Sequence, residues 1–316
     1  VKTPHTGTLR ISRLKMYPMS LFESGESNGE VSLKNLFDNP DSFEGCHSDL
    51  TIDEIKFAIC RGGWPASLNR KTPGAQLAIA KDLFNQTCNV DISNIDGVKR
   101  NSQWAKAILK SYARNLCTLA ETKTILADIN ATCDMSRQSY YDYVSALEKL
   151  MIIENVDAWS PAIRSKTSIR SSQKRNFIDP SIATAAFGVS PEYFDKDYKT
   201  LGFLFESLCI RDLKIYSSNN DGYLSYYRDR LGLEADAVLH LNDGRYALIE
   251  IKLGEYGVDE GAKHLCEIER LVREYNKKER QNHLRIPDLK LVITATQFGY
   301  RRDDGVLVIP IGCLKD

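Results

Sequence analysis

The alternation of apolar and polar positions in the first third of the chain predicts three short helices, over residues 31–39, 51–60 and 73–88. Thr51 and Glu54 have the spacing of a capping box at the start of the second of these helices. The sequence Gly62-Gly63-Trp64-Pro65 ends that helix, because glycine and proline both interrupt the helical backbone.

A second set of apolar positions at helical spacing starts near residue 96. It predicts helices over 101–116 and 122–131, a third helix capped by Ser136, and an apolar strand over 151–156. Three helices followed by a β-hairpin is the plan of a winged helix-turn-helix domain. In that plan the third helix usually reads DNA.

The last part of the chain mixes strands with two long helices. The predicted order is strand 176–178, helix 200–215, strand 224–228, strands 233–241 and 245–253, helix 258–278, and strands 289–296 and 306–311. A helix, three antiparallel strands, a helix and a strand form an α/β sandwich. The whole chain is therefore expected to be multidomain α+β.

The strands 233–241 and 245–253 carry the most informative pattern. Asn242-Asp243-Gly244 is a hairpin signal, with Gly244 suited to a left-handed position. A loop centred on Asp243 places Asp236 opposite Glu250. Strand alternation then puts Glu250 and Lys252 on one face, beside Asp236.

Two carboxylates and one ammonium group on one face suit metal-dependent phosphodiester cleavage. Asp236 and Glu250 offer the hard oxygen ligands that Mg²⁺ or Mn²⁺ takes. Lys252 can orient the nucleophile or stabilise the anionic transition state. The alternative is an ordinary ion pair at a strand end, since Glu-x-Lys alone is a common pattern.

Glu206 is a further candidate member of this site. On the predicted helix 200–215 it falls on the apolar stripe with Phe203, Ile210 and Leu213. A carboxylate there needs a partner or a metal ion. The alternative is a glutamate that reaches solvent.

Residues 164–175 combine basic with small polar residues and contain no acidic residue. We expect this segment either to bind DNA phosphates or to be a solvated linker between domains. The candidate DNA-binding residues are Arg164, Lys166, Arg170, Lys174 and Arg175. The third helix of the predicted winged helix is itself not basic, which favours the linker.

Composition narrows the function classes. Lys plus Arg and Asp plus Glu each number 42, and this balance argues against a protein that coats nucleic acid. No window of about 20 apolar residues predicts a membrane span. The eight cysteines are scattered without a C-x-x-C pair, so we expect reduced, buried thiols in a cytoplasmic protein.

Several of these segments together resemble a known family. The matching pieces are Met19-Ser20-Leu21-Phe22-Glu23-Ser24, Gly62-Gly63-Trp64-Pro65, Phe205-Glu206, Tyr226-Tyr227-Arg228, Glu234-Ala235-Asp236 and Ile249-Glu250-Ile251-Lys252. In this order they resemble prokaryotic AAA+ ATPases with a C-terminal DUF4143 domain, which is PD-(D/E)XK (restriction-endonuclease-like). The resemblance spans most of the chain.

The resemblance implies four units. These are the tail of an ATPase core (1–20), a helical lid-like segment (21–95), a winged helix (96–170) and the nuclease-like domain (171–316). It carries over Asp236, Glu250, Lys252 and Glu206 as site residues. One departure is large, because the chain contains no G-x-x-x-x-G-K-[ST] loop. We therefore expect part of a longer protein, in which only a preceding domain binds ATP.

Two functions remain open from the sequence. The first is metal-dependent DNA cleavage, controlled by an upstream ATPase domain of the same protein. The alternative is a non-catalytic module that binds DNA or protein and has a degenerate nuclease fold.

Overall fold

The computed structural model describes residues 15–162, 171–218 and 220–316. It confirms the predicted mixture of helices and sheet. In the described part of the chain before residue 190, the α-helices are α1 Leu33–Asp38, α2 Ile52–Arg61, α3 Pro65–Leu68, α4 Pro73–Gln86, α5 Ile92–Asn94, α6 Ser102–Arg114, α7 Thr122–Asn130, α8 Arg137–Lys149 and α9 Ser181–Phe187. Among the described residues, none of the helices combines the length and apolar character that crossing a membrane requires.

Side-chain caps fix where two of these helices begin. Thr51 accepts a hydrogen bond from the backbone N–H of Glu54 (3.3 Å), and the Glu54 carboxylate accepts one from the N–H of Thr51 (2.8 Å). This confirms the predicted capping box. Ser136 caps α8 as predicted, because its hydroxyl accepts from the N–H of Ser139 (3.1 Å).

The segments after α8 pair differently from the prediction. Residues 151–156 and 176–178 are not regular strands, since only the bridges Ile153–Phe177 and Val156–Lys174 form between them. Met151 turns the chain out of α8 with a φ of 57°. The two segments therefore make a short antiparallel ladder beside α6, α7 and α8.

The C-terminal part forms a seven-stranded mixed sheet in the order β2-β7-β8-β6-β5-β4-β3. Its strands are β2 Gly45–His47, β3 Gly222–Arg228, β4 Glu234–Leu241, β5 Tyr246–Lys252, β6 Leu289–Thr294, β7 Phe298–Arg301 and β8 Leu307–Pro310. A separate parallel pair joins β1 (Val31–Ser32) to β9 (Leu314–Lys315). The pairs β5/β6 and β6/β8 are parallel, and the other neighbours are antiparallel.

Two long helices cover opposite faces of this sheet. Helix α10 (Tyr198–Ser218) packs against β3, β4 and β5, on the face that carries Leu239 and Ile249. Helix α11 (Val258–Lys278) packs on the other face, where Val238, Leu248 and Val292 are buried. Strand alternation assigns these faces, and the result is three layers.

The pattern did not predict β2, β7 or α9. Strand β2 lies in the segment 21–95, yet it pairs with β7 at the edge of the C-terminal sheet. The absence of a side chain at Gly299 lets β2 and β7 approach each other closely, because a Cβ at this position would lie 2.4 Å from the Cys46 Sγ. Pairing between residues about 250 positions apart leaves no local signal in the sequence.

A buried arginine joins three distant parts of the chain. Arg211 of α10 donates to Asp179 (2.9 Å) and to Asp212 (2.8 Å), and both carboxylates are fully buried. Asp212 also accepts from the backbone N–H of Leu21 (2.9 Å), and Asp179 accepts from that of Gly63 (2.9 Å). Burial raises the pKa of Asp212, although Arg211 opposes the shift.

We expect Arg211→Met to lower the free energy of unfolding by about 3–5 kcal/mol, because two buried carboxylates would lose their counter-charge. Urea denaturation measures this loss. The control is Arg273→Met on the exposed side of α11, where an i,i+4 pair with Glu269 is worth less than about 1 kcal/mol. Equal losses in the two variants would contradict a structural role for the triad.

Candidate functional site

The hairpin of β4 and β5 has the predicted register. Ala237 pairs with Ile249 and Val238 with Leu248, and the regular pairing ends there, one position before Asp236 and Glu250. Gly244 closes the loop with a φ of 90°, in the left-handed region that favours glycine. The predicted hairpin register is confirmed, and Asp236 and Glu250 both lie just beyond its last regular pair.

Asp236, Glu250 and Lys252 form one connected cluster at the end of this hairpin. One Asp236 carboxylate oxygen accepts from the backbone N–H of Ile251 (2.8 Å). The Nζ of Lys252 lies 2.5 Å from Glu250 Oε2 and 3.9 Å from Asp236 Oδ2. Glu250 is 1% exposed, whereas the Lys252 side chain is 24% exposed, so the open side of the cluster lies at Lys252.

The first turns of α11 cover this cluster. A Cβ at Gly261 would lie 3.1 Å from the Glu250 Cβ, and one at Gly257 would lie 3.0 Å from the Lys252 Cδ. His264 of the same helix places its Nδ1 3.3 Å from Glu250 Oε1. Sequence reasoning missed His264, although it lies three residues after the buried Gly261 and four before the buried Ile268. That helical spacing could have placed it toward the sheet.

Glu206 points inward, as its place on the apolar stripe predicted, and its partner is Lys174. The Lys174 Nζ lies 2.7 Å from Glu206 Oε1, 3.2 Å from the backbone oxygen of Asp236 and 3.8 Å from Asp236 Oδ1. A buried carboxylate requires such a partner. Lys174 therefore connects Glu206 to the cluster on the hairpin.

This position corrects the expectation that Lys174 contacts DNA. Its side chain is 2% exposed, because pairing with Val156 turns it toward the sheet. Arg175 is only partly exposed and donates to the backbone oxygen of Ala120 (3.0 Å) and the hydroxyl of Tyr112 (3.2 Å). The other candidate DNA-binding residues, Arg164, Lys166 and Arg170, lie outside the described residues.

Burial is the largest influence on the pKa of Glu250 and of Glu206. It raises the pKa of Glu250 to about 8, with a contribution from Asp236, while Lys252 opposes the shift. Burial also raises the pKa of Glu206 to about 8, against the effect of Lys174. Burial alone would lower the pKa of both lysines, but the neighbouring carboxylates outweigh it and raise them. The ammonium groups therefore stay charged, while burial favours the protonated form of the two glutamates and the adjacent ammonium groups favour the ionised form.

The cluster offers suitable donors for a hard divalent ion. Each oxygen of Asp236 and Glu250 has two lone pairs, so one hydrogen bond does not exhaust it. Carboxylate oxygens are the ligands that Mg²⁺ and Mn²⁺ prefer. The residues present therefore fit such an ion, provided that the Lys252 ammonium moves from Glu250.

A second group with metal-ligand chemistry lies at the β2 edge of the sheet. Glu30, Cys46 and Cys313 place one ligand atom each within 4.8 Å of one another. A hydrogen bond between the two thiols lowers the pKa of Cys46. Thiol ligands suit soft metals instead of Mg²⁺, so this group is separate from the hairpin cluster in both place and chemistry.

Two family models match the chain. Residues 201–314 match a domain of unknown function, DUF4143, which confirms that part of the resemblance. Residues 52–193 match another domain of unknown function, DUF8612, which the sequence patterns did not indicate. The expected boundary at residue 95 falls inside the second match. No curated protein and no solved structure matches the chain.

We expect Lys174→Met to lower the free energy of unfolding by about 3–5 kcal/mol, because it leaves Glu206 buried without its partner. The double variant Lys174→Met/Glu206→Leu should be more stable than the sum of the single losses by at least about 1 kcal/mol. Urea denaturation of the four proteins gives this coupling energy. The same cycle on the exposed pair Lys34–Asp38 should give less than about 0.5 kcal/mol. Strict additivity for Lys174 and Glu206 would refute the pairing.

Proposed function

We propose that this chain carries a phosphodiesterase site in its DUF4143 region, which cleaves nucleic acid with a divalent metal ion. The observation that carries the proposal is the juxtaposition of Asp236, Glu250 and Lys252 at one end of the hairpin, where the Lys252 Nζ lies 2.5 Å from Glu250 Oε2 and 3.9 Å from Asp236 Oδ2. Such a set combines metal ligands with a cation that can stabilise an anionic transition state.

The element order supports a PD-(D/E)XK-like fold for this region. Helix α10, the antiparallel strands β3, β4 and β5, helix α11 and the parallel strand β6 follow one another as expected for the resemblance. The cluster lies at the end of β5 under α11, where Gly257 and Gly261 let the helix approach. Fold alone does not determine activity, so the proposal depends on the side chains.

The roles of the residues follow from their positions. Asp236 and Glu250 would hold the ion, which when bound lowers the pKa of its water and offsets charge on the phosphate. The bond from the N–H of Ile251 orients the Asp236 carboxylate. Lys252, at the open side, can meet the attacking water or a phosphate oxygen. His264 contacts Glu250 and positions it.

A basic cavity offers a place for the nucleic-acid backbone. It has a volume of about 410 Å³, and its lining includes Lys123, Arg137 and Arg175 with a single acidic residue, Glu121. It lies at the first turns of α7 and α8, where helix dipoles favour anions. The packing of α6 against α7 and α8, followed by the antiparallel bridge Ile153–Phe177, supports a winged helix for this region. DNA is therefore the proposed partner.

A specific observation favours a second candidate function, a non-catalytic binding module. The two ammonium groups of Lys174 and Lys252 already balance most of the charge of the three carboxylates. A cluster balanced in this way can be purely structural. In that case the basic cavity would still bind DNA, and its affinity would fall with salt.

Three further expectations stay predictions. The resemblance implies an ATPase domain upstream in the same protein and ATP as the nucleotide of that domain, and the scattered cysteines imply a cytoplasmic location.

Cleavage of supercoiled, linear and single-stranded DNA with Mg²⁺ or Mn²⁺ tests the proposal. We expect cleavage that EDTA abolishes and that Lys252→Ala slows by about 10²-fold or more. Lys278→Ala is the matched control, since Lys278 is an exposed lysine in the last turn of α11.

The opposite outcome is also informative. A folded protein that cleaves none of the substrates with either metal, but binds DNA in a salt-dependent manner, would support the binding module instead.

A further inference from the structure

We infer that the ammonium group of Lys174 is a built-in cation of the carboxylate cluster, so that the site takes one divalent ion instead of two. The ion would lie between Asp236 and Glu250, and Lys174 would keep a second ion out of the space between Asp236 and Glu206. The inference rests on the proposed function, since it concerns the metal content of the same site.

Lys174 makes two hydrogen bonds with its ammonium group and lies within ion-pair distance of a third oxygen. An ammonium group has three N–H donors. The Nζ has oxygen acceptors on Glu206 at 2.7 Å and on the Asp236 backbone at 3.2 Å, with Asp236 Oδ1 at 3.8 Å. These are the oxygens that a second ion bridging Glu206 and Asp236 would need.

The backbone around Lys174 holds the ammonium group in place. The N–H and carbonyl of Lys174 each pair with Val156 at 2.9 Å, and the N–H of Arg175 donates to the oxygen of Thr118 at 2.8 Å. The hydroxyl of Tyr226 donates to the oxygen of Ser172, and its ring lies 5.7 Å from the Lys174 Nζ. With 2% of its side chain exposed, Lys174 has no solvent-facing position to move to without breaking these contacts.

Lys252 differs from Lys174 in this respect. Its side chain is 24% exposed, and it lies at the last position of β5. It can turn away from Glu250 toward solvent without its own charge becoming buried. Glu250 and Asp236 can therefore exchange an ammonium group for a metal ion, whereas Glu206 and Asp236 cannot. A divalent ion placed beside Lys174 would experience strong repulsion in this buried environment.

Mn²⁺ titration by calorimetry, together with electron paramagnetic resonance of the bound ion, tests the inference without any activity measurement. We expect one Mn²⁺ per chain in the unmodified protein, and loss of that ion in Asp236→Asn. Glu206→Gln should keep one ion with an affinity within about 3-fold, because Glu206 contacts Lys174 and not the metal. Lys174→Ala should open the second position and bind two ions, with spin–spin broadening of the Mn²⁺ signal.

The outcomes separate the two proposals. Two ions in the unmodified protein, a 10-fold or greater loss of affinity in Glu206→Gln, or a single ion in folded Lys174→Ala would each overturn the inference alone. No Mn²⁺ bound at Asp236 and Glu250 would overturn the proposed function, and the inference with it. Should Lys174→Ala fail to fold, the unmodified protein and Glu206→Gln still decide the question.

Discussion

The buried ion triad of Arg211 with Asp179 and Asp212 is the interaction on which the rest of the structure depends. The N–H of Leu21 donates to Asp212 on helix α10 and that of Gly63 donates to Asp179, so the triad holds together segments that lie far apart in sequence. A desolvated triad of this kind holds together only if every partner is in place, which makes it demanding of geometry. Glu206 is on the same helix, five residues before Arg211. The triad therefore also fixes the position from which Glu206 reaches Lys174 and, through it, Asp236.

Several segments that carry the family resemblance are constrained by contacts around this triad and not by the carboxylate cluster. Gly63 must be glycine, because a Cβ there would lie 2.1 Å from the backbone oxygen of Met19. The N–H of Met19 donates to the oxygen of Gly63, and the indole of Trp64 donates to Ser181. Segments of this kind indicate how the N-terminal part joins the C-terminal sheet. They carry no information about catalysis, which must be argued from Asp236, Glu250 and Lys252.

The parts of the molecule that local chemistry determines could be predicted from the sequence. The Asn-Asp-Gly loop set the register of Asp236 and Glu250, and residue spacing gave the cap at Thr51. Long-range pairing could not be predicted in this way. Strand β2 has three residues and a partner some 250 positions away. Lys174 lies in a basic, polar run whose composition is typical of an exposed segment, and only its pairing with Val156 turns it inward.

That inward turn changes what the cluster can do chemically. Without counter-ions, the three carboxylates would attract cations from solution. Here two lysines supply the counter-charge, and they differ in how freely their side chains can move. The backbone pairing of Lys174 holds its buried side chain in place, whereas the side chain of Lys252 is partly exposed at the end of a strand. On the proposed function, Asp236 and Glu250 would hold an ion once the Lys252 ammonium has turned away from Glu250, and His264, whose side chain is 38% exposed, would stay beside Glu250. Lys252 lies at the open side of the cluster, where a phosphate would arrive. The arrangement that leaves room for one ion therefore also keeps an ammonium group, that of Lys252, positioned for the reaction.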